Sequence, residues 1–302
     1  MTTKTIVVVG GTGAQGSGVV NALLAEGGYA VRVLTRNPES EKARALTQRG
    51  VQIAKADLAN PETLKPAFEG AQGAFVVTNY WDPGTGGSET EQGKAAVSAA
   101  KAAGVNHLVW STLPNCRAIS NGRFEVAHFT SKALVDEAVC EAGFAHHTFV
   151  EPPMYFQNLT GMMAPQLIEG GKKAWRFPMS GGSKTIHGGD ISEFGKLVAR
   201  VFAKPDKVGQ GQHLSMCGGL YGWQEMVDTL NEQGHDVLYA PIPADQFDGL
   251  FPDAAELREM MEYWMEYTYF GPDHEAKVAA ANALIPERFT SFADWAKTHM
   301  QT

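Results

Sequence analysis

The chain has 302 residues, of which 44% are hydrophobic and 19% are charged, a balance that excludes a disordered or fibrous protein. Residues 1–150 carry 13 basic and 13 acidic side chains, whereas residues 151–302 carry 12 basic and 20 acidic ones, which accounts for the formal net charge of −8. A neutral first half and an acidic second half offer no basic stripe to phosphate backbones, so we expect no binding to nucleic acid.

The cysteines and the apolar runs restrict the class of protein further. Cys116, Cys140 and Cys217 are odd in number and far apart, which fits neither a disulfide framework nor a structural zinc site. The first residues lack the pattern of a signal peptide, and no run of 18 apolar residues could cross a membrane. We therefore expect a cytoplasmic protein with no metal site and no membrane contact.

Short β-rich runs alternate with helical stretches through the first half of the chain. The runs are mostly apolar without strict alternation, as is typical of parallel strands that are covered on both faces. Repeated β–α units predict an α/β fold, with a Rossmann-type, doubly wound parallel sheet over residues 1–150. Helices are predicted at residues 14–25 and 89–103, and a further one begins after Asn60. The predicted strands are residues 5–9, 30–34, 51–55, 74–78, 107–111 and 147–150.

After residue 150 the strand–helix pattern loosens. We predict a smaller, mainly helical C-terminal domain over residues 151–302, with some segments returning to the sheet. Its methionine-rich and aromatic run over residues 260–270 indicates core packing, and a partner-binding surface or a hydrophobic lid is the alternative. Its predicted helices are residues 191–202, 224–233, 254–267, 274–283 and 292–299.

A glycine-rich loop lies directly between the first predicted strand and the first predicted helix. Glycines at this point permit a tight turn and a close approach of the backbone to a pyrophosphate, and the helix N-terminus supplies N–H donors for it. A glycine triplet alone is weak evidence for a nucleotide site. Its position inside a series of β–α units nevertheless makes a dinucleotide site the favoured interpretation over a merely structural turn. The loop consists of Gly10, Gly11, Thr12, Gly13, Ala14, Gln15 and Gly16.

The residues after the second predicted strand favour NADP(H) over NAD(H). No carboxylate that could bind a ribose 2′-hydroxyl appears before Glu39, whereas Arg36 stands just beyond the strand. Its guanidinium suits a bidentate contact with a 2′-phosphate, although a solvated surface arginine is the alternative. The Ser40 hydroxyl is a further candidate ligand.

The ends of two later strands are expected to line the same crevice. Asp57 and Leu58 follow the third strand and could bracket the adenine, or simply lead to the Asn60 cap. Thr78, Asn79 and Tyr80 follow the fourth strand, where capping or packing is an equally good interpretation.

Five segments together resemble the NmrA-like branch of the short-chain dehydrogenase/reductase superfamily, and are most similar to the HSCARG-type NADPH-sensing proteins. The resemblance spans most of the chain, and its specific motifs end near residue 160. It implies an NADP(H)-binding Rossmann domain with a smaller C-terminal domain. The segments are residues 10–16, 31–38, 77–81, 127–132 and 153–159. The resemblance implies that the cofactor is bound by residues 10–15, Arg36, Asn37, Asp57, residues 78–80, Lys132, Tyr155, Phe156, Gln157 and Asn158.

The catalytic residues of the wider superfamily are only partly present. Active members use a Tyr-x-x-x-Lys pair on one helix face, with a serine after the fifth strand. Here His128 replaces the tyrosine, Lys132 is retained as the expected ribose ligand, and Ser111 ends the fifth strand. His128 either packs or contacts the cofactor, or it donates a proton. Tyr155, after the sixth strand, is a further candidate acid.

Two functions remain open on this basis. The first is an NADP(H)-binding redox sensor or regulator with weak or no reductase activity, because the usual tyrosine is missing and several members of the family act through protein partners. The alternative is an NADPH-dependent oxidoreductase for a small carbonyl, quinone or aromatic substrate, as in the related isoflavone-reductase-like proteins. A protein partner or a small-molecule substrate is expected at the C-terminal region, and a homodimer is left open.

Overall fold

The computed structural model describes residues 3–82 and 88–300, and a seven-stranded parallel sheet forms its centre. Four of the six residues of its first strand are valine or isoleucine, and these four are buried, as expected for a strand covered on both faces. In chain order the first elements are β1 (Lys4–Val9), α1 (Ala14–Glu26), β2 (Tyr29–Thr35), α2 (Glu41–Gln48), β3 (Gln52–Lys55), α3 (Leu64–Phe68), β4 (Gly73–Val76), α4 (Glu89–Ala102), β5 (His107–Ser111), α5 (Cys116–Ile119), α6 (Ala127–Ala133), α7 (Asp136–Glu141) and β6 (His146–Glu151).

The second part of the chain mixes helices with short strands. Two three-stranded sheets form there in addition to the helices, which the sequence did not predict because their strands have only two to four residues. Its elements are β7 (Met154–Tyr155), β8 (Gln166–Leu167), β9 (Lys173–Trp175), β10 (Ile186–Gly189), α8 (Phe194–Ala203), α9 (Pro205–Val208), β11 (Gln210–Ser215), β12 (Gly219–Tyr221), α10 (Trp223–Glu232), β13 (Val237–Tyr239), α11 (Ala244–Asp248), α12 (Ala254–Tyr267), α13 (His274–Asn282) and α14 (Phe292–His299).

The strand order places a binding crevice between β1 and β4. Across the large sheet the order is β11-β6-β5-β4-β1-β2-β3, and every pairing in it is parallel. The chain therefore runs outward from β1 toward β3, and then returns to run outward in the opposite direction from β4. Ligands of open α/β sheets bind at such a reversal, beyond the carboxyl ends of the strands. The predicted Rossmann-type architecture is thus confirmed.

The second part of the chain also supplies an edge strand and a covering helix to the large sheet. Strand β11 pairs with β6 at one edge of the large sheet, and α8 packs against α1. The two helices approach so closely that a Cβ atom on Gly195 would lie 2.0 Å from the carbonyl oxygen of Gly18. A domain boundary at residue 150 therefore stays a prediction, since β11 returns to the sheet and α8 returns to the helices that cover it.

The methionine-rich and aromatic run of the second part is mainly core. Met260, Met261, Tyr263 and Trp264 of α12 are buried, whereas Met265 is 40% exposed. The four buried side chains join the large aromatic cluster to which α10 and the two small sheets also contribute. The packing interpretation of this run therefore agrees with its burial.

Candidate functional site

The glycine-rich loop forms a tight turn between β1 and α1. Gly10 has a φ of +73°, a left-handed conformation that favours glycine, and its carbonyl accepts a hydrogen bond from the Gly13 N–H at 2.9 Å. A Cβ atom on Gly16 would lie 2.2 Å from the same carbonyl oxygen, so only glycine lets the first turn of α1 pack against the loop. Gly11 instead packs on β2, where a Cβ atom would meet Val33 at 2.5 Å.

A cleft of about 550 Å³ opens above this loop, along the carboxyl ends of β1, β2 and β4. Its volume lies in the range of small-molecule and cofactor sites. It is lined in part by Asp82 and Gln92, which the sequence did not single out. The predicted residues that line it are Gly10, Thr12, Gly13, Ala14, Gln15, Gly16, Arg36, Asp57, Leu58, Thr78, Asn79 and Tyr155.

Arg36 lies at the rim of the cleft and forms an ion pair across it. Its Nη2 is 2.7 Å from Oδ2 of Asp82, and its side chain is 62% exposed. The guanidinium is therefore accessible to a ligand in the cleft. Asn37 and Ser40 do not line the cleft: Asn37 Oδ1 accepts a hydrogen bond from the Glu39 N–H, and Ser40 Oγ caps α2 by accepting from the Ala43 N–H at 3.2 Å.

Three side chains from distant parts of the sequence meet at the inner end of the cleft. The Ser111 hydroxyl donates to Oε1 of Gln15 at 2.7 Å, and Nε2 of Gln15 donates to the Tyr155 phenol oxygen at 2.8 Å. Ser111 is fully buried at the end of β5, whereas Tyr155 is half-buried at the end of β7 and lines the cleft. Burial raises the pKa of Tyr155 to about 12, although the Gln15 hydrogen bond opposes that rise. Tyr155 therefore remains a neutral phenol over the physiological pH range.

Lys132, the expected ribose ligand, is held behind the cleft wall. Its Nζ lies 2.5 Å from Oε1 of Glu89, and both side chains are buried. Thr78, which does line the cleft, donates to the same carboxylate oxygen at 2.7 Å, and Ser131 donates to the other oxygen. Burial lowers the pKa of Lys132, and the Glu89 carboxylate opposes that change. Glu89 thus links the helix of Lys132 to the end of β4.

His128, the candidate acid on the same helix, is engaged by α12. Its Nδ1 lies 2.6 Å from Oε1 of Glu256, and its backbone N–H donates to the same oxygen at 3.0 Å. Tyr80 and Trp81 pack their rings against the imidazole, with centroid distances of 6.0 and 5.2 Å. Burial lowers the pKa of His128 despite the opposing Glu256. Neither His128 nor Tyr80 lines the cleft.

The residues that follow Tyr155 turn away from the cleft. Phe156 is fully buried among aromatic rings that include Phe292 and Trp295. Gln157 donates to Oδ1 of Asp190 at 2.6 Å, and the Asn158 carbonyl accepts from the Met163 N–H. Their contacts are those of a turn that anchors β7 to its surroundings.

Residues 3–82 and 88–300 contain neither a metal-binding cluster nor a membrane-spanning helix. No group of three or more His, Cys, Asp or Glu side chains is placed to hold a metal ion there. Within the same residues, none of the helices has the length and apolar character needed to cross a membrane.

Glu89 and Glu256 are the most important site residues that the sequence did not reveal. They lie 43 and 128 positions from the residues they bind, and an isolated glutamate at the start of a helix usually complements the helix dipole. No local pattern distinguishes the two residues from ordinary helix-starting acids. Only the tertiary arrangement reveals their partners.

Comparison with known proteins shows that the chain is similar to members of one protein family. A model of the NmrA-like family matches residues 2–296. The chain is 30% identical over 300 residues to the NmrA-like family domain-containing oxidoreductase FrzB of Cladobotryum sp, which covers 91% of this chain and 89% of that protein. It is 31% identical over 328 residues to the corresponding oxidoreductase malD of Malbranchea aurantiaca, over 97% and 95% of the two chains.

Solved structures share the fold. The crystal structure of NmrA, described as a negative transcriptional regulator, in complex with NADP superposes with a TM-score of 0.83 at 22% identity, over 99% of this chain and 96% of that one. The NADPH-dependent quinone oxidoreductase QOR2 of Escherichia coli, in complex with NADPH, gives a TM-score of 0.80 at 19% identity, over 98% and 100%.

Proposed function

This chain belongs to the NmrA-like family, and from that premise we propose that it is an NADP(H)-dependent oxidoreductase in which Tyr155 donates the proton. The single observation that carries the proposal is the position of the Tyr155 phenol, which lines the cleft above the glycine-rich loop and is hydrogen-bonded to Gln15. The names of the relatives FrzB and malD, which are called oxidoreductases, also support it.

The residues of the glycine-rich loop fit a dinucleotide. The left-handed turn at Gly10 and the contact of Gly16 with its carbonyl leave a cradle that side chains would fill. The first turn of α1 has no side-chain cap, so its backbone N–H groups are available for phosphate oxygens. A nicotinamide dinucleotide held there would supply or accept a hydride.

Arg36 favours the phosphorylated form of the dinucleotide. It is a cation at the cleft rim beyond β2, the position from which a 2′-phosphate is recognised in this type of fold. The structural neighbours support NADP(H) as well, since NmrA and QOR2 were crystallised with NADP and NADPH, although NmrA was also crystallised with NAD.

We expect Arg36→Ala to weaken NADPH binding by about tenfold to a hundredfold and to change NADH binding much less. A hydrogen bond to a charged group contributes about 1.5–3 kcal/mol, and each 1.4 kcal/mol is about tenfold in affinity. Calorimetric titration with both cofactors measures the ratio. Arg44→Ala is the matched control, because Arg44 is exposed on α2 and does not line the cleft.

A second variant separates the 2′-phosphate contact from the ion pair. Removal of Arg36 leaves the Asp82 carboxylate beside the cleft, where it would repel the phosphates of either cofactor. The double variant Arg36→Ala/Asp82→Asn removes that repulsion and should still lose the preference for NADPH. An equal loss for NADPH and NADH in the double variant would rule out recognition of the 2′-phosphate by Arg36.

The residues around the inner end of the cleft supply acid catalysis. Reduction of a carbonyl or quinone leaves negative charge on oxygen, which a hydrogen-bond donor must neutralise. The Tyr155 phenol would transfer its hydroxyl proton to that oxygen, and the phenolate left behind would accept the Gln15 N–H. Solvent in the open cleft can return the proton to Tyr155.

The ion pair at the cleft rim favours a redox sensor as the second candidate function. Arg36 directly follows β2 and Asp82 lies six positions beyond the end of β4, and a 2′-phosphate that binds Arg36 would compete with Asp82 for it. Occupancy of the cleft would thereby alter residues 77–82, which follow β4. A regulator that responds to NADPH needs such a link between its cofactor and its surface.

Turnover decides between the two functions. We expect the protein to oxidise NADPH in the presence of a quinone, an enal, an aldehyde or a small aromatic carbonyl compound, because a neutral phenol faces the cofactor cleft. NADPH absorbance measured over such a panel is the assay. Tight NADPH binding without turnover on any class, together with altered hydrogen exchange in α4 on binding, would favour the sensor and contradict the oxidoreductase.

A further inference from the structure

Among the hydrogen bonds of the described residues, only those of the Gln15 side chain join Ser111 to Tyr155. The three residues come from the first turn of α1, the end of β5 and the end of β7, and Gln15 is separated from the other two by 96 and 140 positions. Gln15 and Ser111 are buried, so water does not replace these hydrogen bonds readily. The glutamine side chain therefore joins the glycine-rich loop to the candidate acid.

The two ends of the Gln15 amide are not equivalent. Its oxygen can only accept, and it is occupied by the Ser111 hydroxyl, whereas its nitrogen can only donate and faces the Tyr155 phenol oxygen. Tyr155 is therefore the acceptor in its contact with Gln15, and its own hydroxyl hydrogen is not used in that contact. With the amide reversed, the phenol would donate to Gln15 and have no hydrogen for a ligand in the cleft.

We propose that Gln15 is a positioning residue for Tyr155: its amide N–H holds the phenol oxygen as an acceptor and leaves the phenolic hydrogen for a substrate oxygen, while its amide oxygen accepts from Ser111. The proposal deepens the function proposed above and rests on it for the identity of Tyr155 as the proton donor. Gln15 thereby has a role besides lining the cofactor cleft.

The same hydrogen bond assists the transfer of the proton. When the O–H bond of Tyr155 breaks and the new O–H bond forms on the substrate, the electron pair remains on the phenolate oxygen. The Gln15 N–H then donates to an anion rather than to a neutral phenol, and hydrogen bonds to charged groups are stronger. Gln15 opposes the effect of burial, which otherwise raises the pKa of Tyr155.

The titration of Tyr155 tests the proposal without turnover or cofactor. 3,5-Difluorotyrosine placed at position 155 ionises at a lower pH than tyrosine, and its fluorine resonance reports the pKa in the folded protein. We expect Gln15→Leu and Gln15→Glu each to raise that pKa by about 1 to 2, because both remove a donor to the phenolate. Gln92→Leu is the matched control, since Gln92 lines the same cleft but its amide donates to Ser88.

Gln15→Glu also tests the orientation of the phenolic hydrogen. A carboxylate at this position would accept from both Ser111 and Tyr155 and draw the hydrogen away from the cleft. We expect kcat at saturating NADPH to fall by about tenfold to a hundredfold, with a smaller change in KM for the substrate.

The possible outcomes are distinguishable. An unchanged Tyr155 pKa in both Gln15 variants, or the same rise in Gln92→Leu, overturns the proposal. A raised pKa in the Gln15 variants alone supports it. If the Gln15 variants raise the pKa of Tyr155 but the wild-type protein has no turnover on any substrate, the proposed function fails while the positioning of Tyr155 by Gln15 stands.

Discussion

The variant Tyr155→Phe should reduce NADPH-dependent turnover by about 10²–10⁴-fold, the usual loss when a positioned general acid is removed. Phenylalanine keeps the ring of Tyr155 at the end of β7 and deletes only the hydroxyl that Gln15 contacts. NADPH affinity should change far less than kcat, because the loop and Arg36 remain. Single-turnover kinetics with the best substrate of the panel, alongside fluorescence titration of NADPH, measure the two quantities separately.

Two further variants serve as controls for this expectation. Tyr29→Phe removes a phenol at the start of β2, which does not line the cleft, and should leave turnover unchanged. His128→Ala breaks the contact with Glu256 and is expected to lower stability more than kcat. If His128→Ala abolished turnover in a folded protein while Tyr155→Phe did not, the proton donor would be His128.

The pH dependence of turnover follows from the state of the phenol. Because burial raises the pKa of Tyr155 to about 12, the phenol remains protonated from acidic to strongly alkaline pH. Turnover should therefore show no alkaline loss of activity that depends on Tyr155 between about pH 6 and pH 10, because a general acid fails only when it deprotonates at higher pH.

The second large effect is expected in stability, at a buried ion pair between β6 and α13. Lys277 of α13 lies 3.1 Å from Oε2 of Glu151 at the end of β6, and both side chains are buried. His213 and Ser215 of β11 also contact this carboxylate. We expect Lys277→Met to lower the free energy of unfolding by about 3–5 kcal/mol at pH 7, because it leaves Glu151 charged and buried without its cation.

The pH dependence of this loss identifies its cause. Burial alone would raise the pKa of Glu151, but the hydrogen bond from His213 and the charge of Lys277 hold it below its usual value. The wild-type contribution is therefore present above the pKa of the unfolded chain and is lost as the pH falls through the folded value. Without Lys277 the pKa should rise, so the difference between variant and wild type should shrink as the pH falls toward 4.

Urea unfolding of three variants tests this interpretation. Lys277→Met/Glu151→Gln removes both charges and should recover much of the loss. Lys172→Met breaks an exposed pair with Asp236 and should change stability by less than about 1 kcal/mol. A double variant as unstable as Lys277→Met alone would attribute the loss to packing of the lysine stem rather than to the charge.

The sequence predicted best those features that depend on neighbouring residues. The turn at Gly10 and the strands around it follow from glycine conformation and apolar runs, and the predicted strand at residues 107–111 matches β5. Arg36 lies at the rim of the cleft because it directly follows β2. Each of these inferences needed only a few consecutive residues and the rule that parallel strands end at one edge.

The contacts of Lys132 and His128 could not be predicted in this way. Their spacing on one helix is local information, but their partners Glu89 and Glu256 belong to α4 and α12. A charged side chain that finds an oppositely charged partner inside the protein is held there, since burial without one is unfavourable. Tyr155 and Ser111 were candidates from the sequence, whereas the Gln15 amide that joins them follows only from the folded chain.

The pairing of β11 with β6 and the packing of α8 on α1 have a consequence for synthesis of the protein. Helix α1 emerges early from the ribosome, but the helix that covers it ends at Ala203, and the edge strand follows at Gln210–Ser215. Until then the nascent chain exposes β6 as an open sheet edge and leaves one apolar face of α1 in water, both of which promote aggregation. Completion of the nucleotide-binding sheet therefore waits for more than two thirds of translation, and a pause or truncation before residue 215 would leave a chain dependent on chaperones.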